Sequence, residues 1–217
     1  MISPLLANLF LHYAFDEWMR INHSRNAFER YADDIIIHCN TYEEAQNMLS
    51  QIKERLAVCG LEVHPEKTKI VYCKDYRRKG KHDKVQFKFL GFGFQPRSAK
   101  SKRDGKMYLS YYPVISKESR QRIILVIRKT NLHRWCKDTI EEIAAKLNPK
   151  LRGWINYYGK FGKYVLIRLF GKLEDRLEKF IMNKYKITSL WKAIEMLSNI
   201  KNSQPKLFAH WKIAYPR

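Results

Sequence analysis

Two adjacent carboxylates, Asp33 and Asp34, follow Tyr31-Ala32 and precede the apolar run Ile35-Ile36-Ile37. Neighbouring carboxylates repel each other unless cations hold them. Hard divalent ions such as Mg²⁺ accept one or two carboxylates together with phosphate oxygens, and a pair of such ions can stabilise both the attacking and the leaving oxygen of a nucleotidyl transfer. A bend between two strands suits that chemistry, because it can aim both side chains at one groove, whereas neighbours within a strand face opposite ways. Asp-Asp by itself is also an ordinary solvated turn, since Asp bonds to its own backbone and tolerates strained angles. The apolar runs on either side favour the hairpin bend.

The second chemical signal is charge. The chain has 217 residues and a formal net charge of +21, far more than solubility requires, which calls for a polyanionic partner such as RNA, DNA or anionic lipid. Residues 1–70 hold 7 Lys/Arg against 10 Asp/Glu, whereas residues 71–217 hold 35 against 11, so the excess belongs entirely to the second part. Its basic segments are also rich in Trp and Tyr, which stack on bases, and this favours nucleic acid over a membrane surface. Arg120, Arg122, Arg128, Lys129, Arg134, Lys150, Arg152, Lys160 and Lys163 are the candidate phosphate contacts.

Cys39, Cys59, Cys73 and Cys136 lie far apart, with no C-x-x-C pair and no His at zinc spacing, so neither a zinc module nor a disulfide framework is indicated and a reducing cytoplasm fits best. The apolar stretch at residues 2–15 has no basic flank before it, is interrupted by Asn8 and His12 and ends in Asp16-Glu17, which argues against a signal peptide. No run reaches membrane-spanning length.

The elements that must position these groups can be read from periodicity. Ser3-Pro4 predicts a helix start with the hydroxyl as cap, and Leu5, Leu6, Leu9, Phe10, Tyr13 and Trp18 recur at the spacing of a buried helix. Nothing precedes that helix to receive its apolar face, which suggests that an upstream segment is missing. Residues 27–32 and 34–39 predict a hairpin around Asp33, Thr41 and Glu44 a capping box, and Gly60 the end of the helix that follows. Short strands are expected at 61–63 and 69–73, a strand-like run at 85–94 and another strand at 107–112, with a domain boundary at 112–116. Beyond it helices are expected at 116–131, at 139–146 behind an Asp138/Glu141 cap, from Asn148-Pro149 into Trp154 and Tyr158, at 164–184 and at 189–200, before a tail carrying Phe208, Trp211 and Tyr215. The order gives an α+β fold.

Several strings now fall into one order. Residues 2–12, ISPLLANLFLH, resemble the helix after the Pro-Gln-Gly element of group II intron reverse transcriptases, and Arg30-Tyr31-Ala32-Asp33-Asp34 resembles their catalytic turn. Gly60-Leu61-Glu62-Val63 with Glu66-Lys67-Thr68-Lys69 is similar to the motif after the catalytic hairpin, and Phe89-Leu90-Gly91-Phe92 to the element supporting the primer end. Arg152-Gly153-Trp154-Ile155-Asn156-Tyr157-Tyr158 resembles the signature of the maturase thumb, domain X, and Pro205-Lys206-Leu207-Phe208-Ala209-His210-Trp211 a pattern near the end of many bacterial members.

The resemblance implies the distal part of a reverse-transcriptase palm, an antiparallel sheet with helices, at 1–112, an all-helical thumb at 113–187 and a C-terminal helical extension at 188–217. It implies a mobile-element protein that performs RNA-directed DNA polymerisation with two Mg²⁺ ions and binds intron RNA to assist splicing, with template–primer duplex and DNA as further partners. Asp33 would be the metal ligand and Asp34 its weaker partner. Lys67 would donate a proton to leaving pyrophosphate or meet nucleotide phosphates, unless it is an ordinary loop lysine. Phe89, Leu90 and Gly91 would support the primer. Trp154, Tyr157 and Tyr158 either pack in the core or stack on bases. The family's first catalytic aspartate and its Pro-Gln-Gly element precede the matched region and are absent, and Asp16 and Glu17 lie in the wrong context to replace them, so the metal cage is expected to be incomplete. An enzyme half completed by a separately encoded N-terminal half, a non-catalytic RNA-binding remnant and a decayed reading frame are the alternatives.

Overall fold

The computed structural model describes residues 2–77, 80–101 and 103–214. They form two units, one of residues 1–72 with 81–85 and one of 73–80 with 86–217, each built around its own core. The architecture is α+β.

The first unit opens with α1 (Ser3–Leu11), which continues through a π-helical turn (His12–Asp16) into α2 (Glu17–Asn22). Two expectations change here. The N-cap is Ile2, with no side-chain cap, so Ser3 is already helical and Pro4 follows it in the first turn, where its missing N–H costs nothing. The second change concerns burial: α1 buries no residue, and Leu5, Leu6, Leu9 and Phe10 are exposed because the unit's core begins only at Ala14 and Phe15 in the π turn. A π turn rotates the helix face by an extra residue, and the side chain of Arg55 donates to the carbonyls of Ala14 (2.9 Å) and Tyr13 (3.3 Å) there.

Strands β1 (Phe28–Tyr31) and β2 (Asp34–Ile37) pair antiparallel with Tyr31 opposite Asp34. Helix α3 (Tyr42–Val58) carries the expected Thr41/Glu44 capping box, and the Glu44 carboxylate also accepts from Asn26 (2.6 Å) and from the Asn40 amide (2.6 Å), tying the helix start to the hairpin. Phe15 and Met19 meet Met48, Ile52 and Leu56 of α3, with Phe28 set edge-on to Phe15 at 5.2 Å. Each such buried side chain contributes about 1.5–3 kcal/mol. The strands expected at 61–63 and 69–73 do not form: Leu61 and Val63 pack on this core as irregular chain, and the Tyr72 N–H donates to the Lys84 carbonyl (2.8 Å) outside any regular strand.

In the second unit β3 (Phe87–Phe89), β4 (Phe92–Lys100) and β5 (Met107–Ile115) form an antiparallel sheet in that order. The run expected at 85–94 breaks at Leu90-Gly91, a two-residue loop with both φ angles positive (48° and 76°), the geometry that matches strand twist in a tight hairpin. Strand β5 extends beyond the expected 112 through Pro113, paired opposite Phe94, to Ile115. Helix α4 (Lys117–Lys129) starts at Ser116, whose hydroxyl accepts from the Ser119 amide.

After a 3₁₀ turn (Leu132–Arg134) comes α5 (Ile140–Tyr185), one element of 46 residues where separate helices were expected. Its cap is the Thr139/Glu142 box and not Asp138/Glu141. Pro149 is accommodated inside it, and the break falls at Gly162, whose φ of −123° and ψ of 20° are non-helical. Helix α6 (Leu190–Ser203) and α7 (Trp211–Ala214) pack back on α5. Phe208, His210 and Trp211 are buried, whereas Tyr215, the remaining aromatic of the expected tail, lies outside the described residues.

Candidate functional site

The acidic turn is set by local rules. The register of β1 and β2 leaves Ala32 and Asp33 as a two-residue loop, with Ala32 in the left-handed region (φ 55°), and makes Asp34 the first residue of β2. Tyr31, Asp33 and Asp34 are all exposed. Beneath them Arg30 donates to Asp16 through Nε and Nη2 (both 2.6 Å), and through Nη1 to the Ala32 carbonyl and to Asn8 Oδ1 (both 3.1 Å). The hydrogen-bonded guanidinium holds the Asp16 carboxyl below its ordinary range against a smaller opposing effect of burial. Glu17 is engaged by Arg20 in the same way (2.7 Å). Asp16 and Glu17 are therefore each engaged by an arginine side chain.

Among the described residues no ion pair engages Asp33 or Asp34, and no three His, Cys, Asp or Glu side chains converge as a metal cluster. The donor set is thus two exposed hard oxygen groups on one bend. Lys67 is exposed on the separate turn at 65–67, closed by the Thr68 N–H to the His64 carbonyl (3.0 Å). None of the four cysteines forms a disulfide among the described residues. Among the described residues no helix is long and apolar enough to cross a membrane.

In the second unit, the candidate cations decorate a helical scaffold. Arg122, Arg128 and Lys129 project from α4, Arg134 from the 3₁₀ turn, and Lys150, Arg152, Lys160 and Lys163 from α5, all exposed, while Ile123 and Ile127 bury the opposite side of α4. Arg120 differs: it is half-buried and its Nε has no hydrogen-bond partner. Between α4 and α5 lies an open groove of about 410 Å³ lined by Arg122, Val126, Gly153, Trp154, Tyr157 and Tyr158.

Trp154 is half-buried against the core and Tyr157 is half-exposed. Phe89 packs within the sheet as the partner of Phe92, and Leu90 and Gly91 form the loop, where the Tyr157 hydroxyl donates to the Leu90 carbonyl (2.9 Å). Sequence reasoning missed Arg30 as the brace of the acidic turn, and also the exposed Phe161, Tyr164 (83% exposed) and Trp191 (81%) among the cations of α5 and α6. Aromatics that fall off the apolar period of a basic helix were the available signal.

A reverse transcriptase (RNA-dependent DNA polymerase) family model matches residues 1–94, and a group II intron, maturase-specific domain model matches residues 120–196. No curated protein matches the chain. The first match takes in the acidic hairpin and the Leu90-Gly91 loop, and the second takes in α4, the kinked α5 and the start of α6. With both domains present in the order the motifs follow, the chain belongs to the group II intron reverse transcriptase/maturase family.

Proposed function

We propose that this chain supplies the acidic turn of an RNA-directed DNA polymerase site together with a basic thumb that holds group II intron RNA, and that alone it binds RNA without efficient polymerisation. A maturase domain implies binding of the intron RNA, and reverse transcriptases generally use a divalent metal. The observation that carries the reading is the division of charge. The unit presenting the Asp33-Asp34 bend holds 9 Lys/Arg against 11 Asp/Glu, and the helical unit holds 33 against 10.

Asp33 and Asp34 suit Mg²⁺, which takes one or two carboxylates and leaves its remaining positions to phosphate oxygens and water. Bound there, the ions would offset charge on the attacking and leaving oxygens. Asp33 serves as the main ligand and Asp34 as the weaker one, while Arg30 fixes the backbone from which both project. Lys67 protonates the leaving pyrophosphate, and Phe89, Leu90 and Gly91 support the primer end. These groups belong to the palm portion at 1–112, and the thumb at 113–187 carries the cations. Template–primer duplexes containing DNA offer the same phosphates to that surface.

Binding of an intron RNA fragment across a salt series tests the thumb. Affinity should fall linearly on a log–log scale, and joint replacement of Arg122, Arg128 and Lys129 by Gln should weaken binding and flatten the slope. Affinity indifferent to both would overturn the assignment. Manganese binding read by water proton relaxation should weaken in Asp33→Asn more than in Asp34→Asn. Template copying by the purified chain that disappears in Asp33→Ala would show that it polymerises unaided and would overturn that part of the proposal.

A further inference from the structure

We infer that Tyr157 and Tyr158 of the thumb are positioning residues that brace the Leu90-Gly91 loop, and are not a base-stacking platform; this rests on the assignment of that loop to primer support. Leu90 sits at φ 48°, a conformation that L-residues with a Cβ adopt only when their surroundings impose it. The two-residue hairpin calls for it, and contacts from the helices hold it. The Tyr157 hydroxyl donates to the Leu90 carbonyl (2.9 Å), and the Gly91 carbonyl accepts from the Ser119 hydroxyl (3.0 Å) and the Ser116 amide (3.0 Å). The Tyr158 hydroxyl lies so close that a Cβ at Gly91 would come within 2.9 Å of it. Every residue of the loop is therefore met by α4, its cap or α5.

The rings are committed as well as the Tyr157 hydroxyl. Phe92, the residue after the loop, stacks on Tyr157 at 5.7 Å and meets Tyr158 and Phe161 edge-on at 5.3 and 6.0 Å, while Tyr157 and Tyr158 contact each other at 4.8 Å. A stacking platform needs a free ring face, and Tyr157 has one face on Phe92 and an edge-on contact with Tyr158. A purely packing role would be met by phenylalanine, whereas here the Tyr157 hydroxyl makes a directed bond to the strained residue. Both tyrosines lie within one turn or so of the α5 break at Gly162, which itself abuts Ile115 at the end of β5. The orientation of the first half of α5 and the placement of the loop are thus set together.

The full chain bound to an RNA-template DNA-primer duplex carrying 4-thiothymidine at the primer 3′ end provides the test, with Tyr157→Phe, Tyr158→Phe and the double variant. Phenylalanine keeps the ring packing, so folding is not at stake. We expect unchanged duplex affinity, fewer crosslinks to residues 89–92, and amide exchange in that loop faster by roughly three- to tenfold, the range corresponding to one net hydrogen bond. Crosslinking and exchange both unchanged in the double variant overturn the inference. So does a drop in crosslinking that only tracks a drop in affinity, which would mean that the hydroxyls contact the duplex directly instead of bracing the loop. If the wild-type loop never crosslinks yet its exchange quickens in the variants, the brace is upheld and the primer-support assignment is what fails.

Discussion

Arg30 and Asp16 form a bidentate pair, two hydrogen bonds of 2.6 Å, in which the same guanidinium reaches the carbonyl of Ala32 at the crown of the acidic turn. The side chain of Arg30 is only 12% exposed, so the fork is sheltered from solvent and its planar geometry is used in full. One residue beside the turn thereby fixes the helix that carries Asp16 and the loop that carries Asp33.

Arg30→Lys keeps the charge and loses the fork. It should destabilise the first unit by about 1–3 kcal/mol, the scale of charge-assisted hydrogen bonds lost in a sheltered place. The pH dependence has a definite sign. Since the guanidinium holds the folded Asp16 carboxyl below its ordinary 3.8, the pair contributes stability above that value and loses it as pH falls through the folded value. Urea titrations between neutral and acid pH should show the variant weaker at neutral pH and converging on wild type in acid. A constant gap at every pH would refute the linkage.

Such short-range logic explains what was legible in the sequence. The Thr41/Glu44 box, the Asp33 bend and the Ser116 start are local signals and appear where expected. The misses are cases where distant contacts decide. Nothing local distinguishes Leu5 and Leu9, which are exposed, from Phe15, which is fully buried, because Phe15 lies in a π turn that resets the helix face. Asn148-Pro149 looks like a helix start, yet α5 runs through it, with the Asn148 side chain bonded at both ends to the backbone of Leu207 and Ala209. The pairing of Arg30 with Asp16, 14 positions away, is equally invisible to periodicity.

Gly91 and Gly60 form a natural comparison, with φ values of 76° and 73°. Alanine at either pays the left-handed penalty, about 1–2 kcal/mol. Around Gly60 an added Cβ meets nothing within 4 Å, whereas at Gly91 it would come within 2.9 Å of the Tyr158 hydroxyl and 3.0 Å of the Ser119 hydroxyl. Gly91→Ala should therefore lower the melting temperature more than Gly60→Ala. Equal losses would mean that the helices yield at the loop.

Gly162 tests the break in α5. A Cβ there would lie 2.5 Å from Cγ1 of Ile115, a side chain buried in the core of the second unit, and neither neighbour has room to move freely. Gly162→Ala should cost about 1–3 kcal/mol by overpacking. Ile115→Ala removes the colliding atoms at its own cavity cost, so the double variant should be less destabilised than the sum of the two singles. Strict additivity in chemical denaturation would mean that the added methyl does not collide with Ile115.

Glu174 anchors the C-terminal segment to α5. Its Oε1 accepts from His210 Nε2 (2.6 Å) and Trp211 Nε1 (2.8 Å), and its Oε2 pairs with Lys201, all in a buried setting. Burial alone would raise this carboxyl, but the hydrogen bond and charge of His210, followed by those of Lys201, outweigh it and leave the group below its ordinary 4.5. A carboxyl depressed in the folded state contributes stability above its ordinary value and loses it as pH falls through the folded one. Glu174→Gln removes the charge and leaves Lys201 uncompensated, a change of roughly 3 kcal/mol for a broken buried pair. At neutral pH the variant should expose the Leu207–Trp211 segment to protease and alter the Trp211 emission. As pH falls from neutral through the ordinary 4.5 and below it, wild type should lose the stability that the variant already lacks, so the two denaturation midpoints should draw together. Parallel curves across that range would mean that packing of Phe208 and Trp211, and not the carboxylate, holds the segment in place.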